Sequence, residues 1–153
     1  MKKKRKNKII ILIIIFALII GSSGIFIYNF IKESIIYSNV IKSNWNIELS
    51  SKYKEIYSAD TGQSFLGNGN RYHILEYINN KDIENALEWQ EYKSEKTEDF
   101  LIEELNSLNV PKEYLPDFNS YYKYYSKSKG SYNNISIRYF VESNRLYIYE
   151  QFM

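Results

Sequence analysis

The chain has 153 residues, no cysteine and a formal net charge of +2. Without cysteine it can hold neither a disulfide nor a thiolate metal site, so packing alone must stabilise its fold. The charge is unevenly divided: six of the twenty lysines and arginines precede Ile9, leaving fourteen against all eighteen acidic residues, a net of −4 that suits phosphate backbones poorly and argues against nucleic acid.

The chain opens on MKKKRKNK, a basic tail over residues 1–8 with no acidic side chain. Residues 9–30 carry no charge, and at about 1.5 Å per helical residue they span about 33 Å, the thickness of a hydrocarbon core. A single transmembrane helix is expected over residues 9–31, its basic end held in the cytoplasm by the positive-inside bias and the C-terminal body outside the membrane. A cleaved signal peptide competes with this, because residues 9–20 have signal-like length and Ser22 and Gly24 are small enough for a peptidase. The return of apolar character in IFIYNFI, after the glycine and serine step at 21–24, favours a retained anchor. The lack of cysteine excludes a lipoprotein.

Ile31, Ile35, Ile36, Val40 and Ile41 recur at helical spacing, so the spanning helix is expected to continue as a stalk over residues 32–43 until Ser43 and Asn44 break it. Residues 44–153 are enough for one domain with a single core. KYKEIYS predicts a strand with Tyr53 and Tyr57 on one face. RYHILEYIN alternates Tyr72, Ile74 and Ile78 against His73, Leu75 and Tyr77, the pattern of a sheet strand.

Asn79 and Asn80 are good N-caps for a helix with Ile83, Ala86, Leu87 and Gln90 along one side and Trp89 nearby. Thr97 is placed to cap a second helix, whose stripe is Leu101, Ile102, Leu105 and Leu108 before Asn109 and Pro111 end it. A turn around Pro111 and Pro116 leads to YYKYYSK, a strand followed by the hairpin loop KSKGS. ISIRYFVE alternates Ile135, Ile137, Tyr139 and Val141 against Ser136, Arg138 and Phe140. After the turn ESNR, RLYIYEQF alternates Leu146 and Ile148 with Tyr147 and Tyr149. The order ββααβββ, with helices segregated from strands joined by short turns, predicts an α+β domain: an antiparallel sheet of about five strands packed on two helices.

Chemistry-bearing residues concentrate in ADTGQSFLGNGNRYH, residues 59–73. Asp60-Thr61-Gly62 matches the aspartic-protease triplet, which two subunits would have to supply as a pair. Those enzymes set it at the end of a strongly apolar strand, and no second such element follows. A turn in which Asp60 bonds nearby backbone uses the same residues. Gly67-Asn68-Gly69-Asn70 offers backbone amides to an anion. Phosphate-binding glycine loops open a helix, however, and here a strand follows, so no dinucleotide or P-loop cofactor is expected. His73 is the only histidine, which leaves a histidine metal site without a second imidazole and makes a half-buried, hydrogen-bonded side chain the simpler reading.

Acidic residues crowd the two helices: Asp82, Glu84, Glu88, Glu91, Glu95, Glu98, Asp99, Glu103 and Glu104. A solvated acidic face accounts for them. Sixteen tyrosines, four of them at 121, 122, 124 and 125, fit a sheet and also a recognition surface.

The same loop, with KEIYS before it and RYHILEY after it, resembles an uncharacterised family of small membrane-anchored exported proteins of low-GC Gram-positive bacteria. In these an Asp-Ser/Thr-Gly-x-Ser-Phe precedes a Gly-Asp-Gly and an Arg-Tyr. The matching positions are Asp60, Thr61, Gly62, Ser64, Phe65, Gly67, Gly69, Arg71 and Tyr72, while Asn68 stands where the pattern has an acidic residue. LYIYEQF is similar to the family's last strand. The resemblance implies an exported, anchored cell-envelope domain and brings no activity with it.

The expectation is therefore a single-pass membrane protein whose partners are the lipid bilayer and another protein at the cell surface, as an inhibitor, immunity or accessory factor of an envelope system. An exported hydrolase using Asp60, or a structural envelope protein, is the alternative. No cofactor, metal or catalytic set is expected. The ligand or partner loop comprises Asp60, Gly62, Ser64, Phe65, Gly67, Asn68, Gly69, Arg71, Tyr72 and His73.

Overall fold

The computed structural model describes residues 36–62, 68–91 and 93–153. The expected membrane helix, the basic tail and the first part of the stalk lie outside these residues. Among the described residues no helix is long and apolar enough to cross a membrane.

Helix α1 (Tyr37–Trp45) leads into the hairpin β1 (Tyr53–Asp60) and β2 (Gly69–Tyr77). The short α2 (Lys81–Glu84), the longer α3 (Glu95–Ser107) and a 3₁₀ turn (Lys112–Tyr114) follow. The chain closes with β3 (Tyr122–Lys129), β4 (Asn133–Phe140) and β5 (Arg145–Phe152). The five strands form one antiparallel sheet in the order β1-β2-β5-β4-β3. Short turns build the three-stranded meander locally, and pairing of β2 with β5 joins it to the β1–β2 hairpin.

The expected α+β class and five-stranded antiparallel sheet are thus present. The helices, however, do not form a pair on one side. Strands β2 and β5 are apolar on both faces, and a sheet with two apolar faces must be covered twice. Leu75, Tyr77, Ile135, Ile137, Leu146 and Ile148 form a first face that shares a buried cluster with Tyr37, Ile41 and Trp45 of α1 and Ile83 of α2. Tyr72, Ile74 and Tyr149 form the second face, covered by Leu101 and Leu105 of α3 and by Val110.

Six local expectations change. The helix expected to stop at Ser43 and Asn44 runs to Trp45 and ends at Asn46, whose φ of 53° allows its N–H to cap the Lys42 carbonyl. Its residues Tyr37, Ile41 and Trp45 are core, so this helix belongs to the folded body instead of a stalk. Tyr53 and Tyr57 lie on opposite faces, in the first and second clusters, because β1 shifts register between Glu55 and Tyr57 and a bulge inverts the alternation. Ile78 falls beyond the end of β2 and is 98 % exposed.

The helix expected to run through Gln90 stops at Glu84. Gln90 instead exchanges backbone hydrogen bonds of 2.8 Å with Tyr124 on the edge of the sheet, which requires extended chain there. In α3 the N-cap is Ser94, with Thr97 inside the first turn donating its hydroxyl to the Ser94 carbonyl at 2.9 Å.

Candidate functional site

The β1–β2 hairpin end is built by its own backbone. Asp60 pairs across the ladder with Arg71, and the Thr61 N–H donates to the Asn70 carbonyl at 3.0 Å. Asp60 Oδ1 accepts the Gly62 N–H at 2.7 Å, and Gly62 sits at φ +81°, where other side chains are strained. The Asn70 N–H donates to Thr61 Oγ1 at 3.1 Å. That hydroxyl passes so close to Gly69 that a Cβ there would lie 2.3 Å from it. These contacts fit Asp60 as the turn-former of the loop. Ser64, Phe65 and Gly67 lie outside the described residues.

Beside this turn is a concavity of about 830 Å³. The loop borders it through Asp60, Thr61, Gly62, Asn68, Gly69 and Asn70, with Arg71 and His73 of β2, Phe152 of β5, and Tyr37 and Val40 of α1 completing the described lining. Six residues anticipated from the sequence therefore meet here: Asp60, Gly62, Asn68, Gly69, Arg71 and His73. Tyr72 does not join them. Strand alternation turns it to the second face, where it is fully buried and donates its hydroxyl to the Tyr114 carbonyl at 2.7 Å.

His73 is held on two sides. Its Nδ1 lies 2.5 Å from Glu55 Oε1, and since a carboxylate only accepts, Nδ1 carries the proton. Its ring stacks on Tyr37 with centroids 3.5 Å apart. Burial pushes its pKa below the ordinary histidine value, against the pull of Glu55, which favours the charged ring. Arg71 lies over the Phe152 ring, 4.9 Å from its centroid.

Beneath Tyr37 is a residue that sequence reasoning passed over. Glu150 is 0 % exposed and accepts hydrogen bonds from the Tyr37 hydroxyl at 2.6 Å and Trp45 Nε1–H at 2.5 Å. Burial, then the Glu150 charge, raises the Tyr37 pKa well above the tyrosine norm, so Tyr37 remains a donor. A signal was present in the sequence: Glu150 falls in phase with Leu146 and Ile148 on the apolar side of β5. Tyr37 was missed because it lies in the segment assigned to the stalk, and Trp45 because the helix that carries it was expected to end just before it.

The acidic helical face is also more than solvated charge. Glu104 accepts from the Tyr149 hydroxyl at 2.6 Å and from Asn70 Nδ2 at 2.7 Å, tying α3 to β5 and to the hairpin end. Glu98 accepts from the Tyr122 hydroxyl. Among the described residues no group of three His, Asp or Glu side chains is arranged to hold a metal ion. The described lining of the concavity offers the Arg71 guanidinium, the His73 imidazole, the Asp60 carboxylate, a backbone turn, and the rings of Tyr37 and Phe152, a set suited to non-covalent recognition.

No family model, no curated protein and no solved structure matches this chain.

Proposed function

We propose that this chain is a membrane-tethered extracytoplasmic domain that binds another protein at the cell surface through the concavity between the glycine-bearing turn and α1. The observation that carries this is the convergence of Arg71, His73, Tyr37 and the turn on one concave surface. The apolar run over residues 9–31 and its basic flank support the anchor.

Anchor and concavity are close in the chain. Five residues, 32–36, separate the expected span from α1, and extended chain advances at most about 3.5 Å per residue. The Tyr37 end of the concavity would then stand within about 18 Å of the bilayer. A partner reaching it would be a membrane protein or would lie on the membrane surface, as an envelope accessory or immunity factor requires.

The test places a photo-crosslinking residue at Val40, at Asn68, and at the exposed Asp99 of α3 in the full-length chain in its native membrane. Capture of one common partner from Val40 and Asn68 but not Asp99, abolished by Arg71→Ala, is the expected result. Equal capture from all three positions, or none from the first two, would defeat the proposal.

A further inference from the structure

The second face of the sheet is covered unevenly. α3 packs Leu101 and Leu105 over β2 and β5. On the β3–β4 side the same face carries short polar side chains, Ser126 and Ser136 among them. A cleft of about 290 Å³ remains there, bounded by Thr97, Phe100 and Leu101 of α3.

Arg138 lines this cleft and is 2 % exposed. Its Nη1 donates to Ser136 Oγ and its Nη2 to the Thr97 carbonyl, both at 3.2 Å. Its Nε–H is buried with no partner among the described residues. Among the described residues no carboxylate forms an ion pair with it. The nearest acidic compensation is indirect: Tyr122, in contact with the guanidinium, donates its hydroxyl to Glu98. The rings of Tyr124 and Phe118, with centroids 5.2 and 5.6 Å from the guanidinium carbon, add cation–π contact.

A buried charge without a direct counter-ion is costly, and a buried N–H without an acceptor adds to the cost. Burial accordingly pulls the Arg138 pKa below the arginine norm. The described lining contains no acidic residue, and its one cation facing the cleft is Arg138, since Lys127 sends its ammonium to the Trp45 carbonyl on the other face of the sheet. An anion held at Arg138 would supply the acceptor that its buried Nε–H lacks, in the side-on geometry by which carboxylates and phosphates engage a guanidinium through two parallel hydrogen bonds. Phe100 and Leu101 offer an apolar wall beside it.

We propose that this cleft binds a small organic anion whose carboxylate or phosphate pairs with Arg138 while its body lies against Phe100 and Leu101. The site is on the opposite face of the sheet from the concavity and stands or falls independently of the partner bound there.

The chain has four arginines, so the Arg138 Nε–Hε resonance can be assigned in the full-length protein and followed during titration. Benzoate and phenyl phosphate serve as probes, with inorganic phosphate and chloride at matched ionic strength as references. A saturable shift of that resonance with benzoate or phenyl phosphate is expected, weakened about tenfold or more in Arg138→Lys, which keeps the charge and loses the fork. Ser126→Phe, a change at an exposed position on the cleft, should abolish binding without disturbing the core. It decides the question alone if the arginine variant does not fold. No saturable shift with either probe, a response that chloride or inorganic phosphate reproduces, or undiminished affinity in Ser126→Phe would overturn the proposal.

Discussion

Tyr37 and Glu150, 113 residues apart, meet through a 2.6 Å hydrogen bond in the interior, and with Trp45 they fasten α1 to the central strand of the sheet. The carboxylate is fully buried, so each donor removed leaves an acceptor that water cannot reach. Tyr37→Phe and Trp45→Phe, which keep most of the bulk, are each expected to cost about 1.5–3 kcal/mol, the range for hydrogen bonds to charged groups. Denaturant unfolding of the single and double variants checks this, and coupling between the two through Glu150 should appear as non-additivity.

Gly69 and Gly62 should respond differently to alanine. At Gly69 the new Cβ would collide with Thr61 Oγ1, so Gly69→Ala adds a clash to an unfavourable backbone and is expected to cost about 2–3 kcal/mol. At Gly62 nothing among the described residues lies within contact of the added methyl, leaving the positive-φ penalty of about 1 kcal/mol. Thermal unfolding of the two variants orders them. Combining Thr61→Ala with Gly69→Ala should recover part of the larger loss.

His73 should make stability depend on pH. Its folded-state pKa is lowered, chiefly by burial, so the native state favours the neutral ring. Below the unfolded value of about 6.5 the unfolded chain takes up the proton first. The stabilisation is therefore complete above that pH and declines as pH falls from it toward the folded-state pKa. Unfolding free energies measured across this window should show a slope that His73→Gln reduces.

Two neighbouring acids of α3 separate structural from solvated charge. Glu104→Ala removes the acceptor of Tyr149 and Asn70 and is expected to cost about 1–3 kcal/mol. The exposed Glu103 should tolerate alanine within about 0.5 kcal/mol. Chemical denaturation of both variants provides the comparison.

Much of the sheet is legible as simple alternation. β4 and β5 follow the pattern of Ile135, Ile137, Leu146 and Ile148, and the turns carry Gly130 and Asn144 at positive φ, although Lys127 to Lys129 of the expected loop KSKGS extend β3 instead. Alternation also separates Tyr72 from Arg71 and His73, so only the latter two could share one surface. The bulge in β1 carries no comparable mark, because a single unpaired residue leaves local composition unchanged. The truncated α2 was illegible for a related reason: Ile83, Ala86 and Leu87 satisfy helical spacing, but pairing of Gln90 with Tyr124 requires extended chain. Glu150 was visible as an acid in an apolar register, without any indication of which donors would meet it.

By itself the sequence determined the strands, the antiparallel α+β class, the long amphipathic helix and the turn at Asp60, because each follows from contacts among residues a few positions apart. Only the tertiary structure decided that the helices divide between the two faces, that α1 belongs to the core, and that Arg138 lies buried with no carboxylate paired to it among the described residues. Those outcomes depend on pairings between residues tens of positions apart. Periodicity specifies that a face must be covered, and the closing of the whole chain selects the segment that covers it.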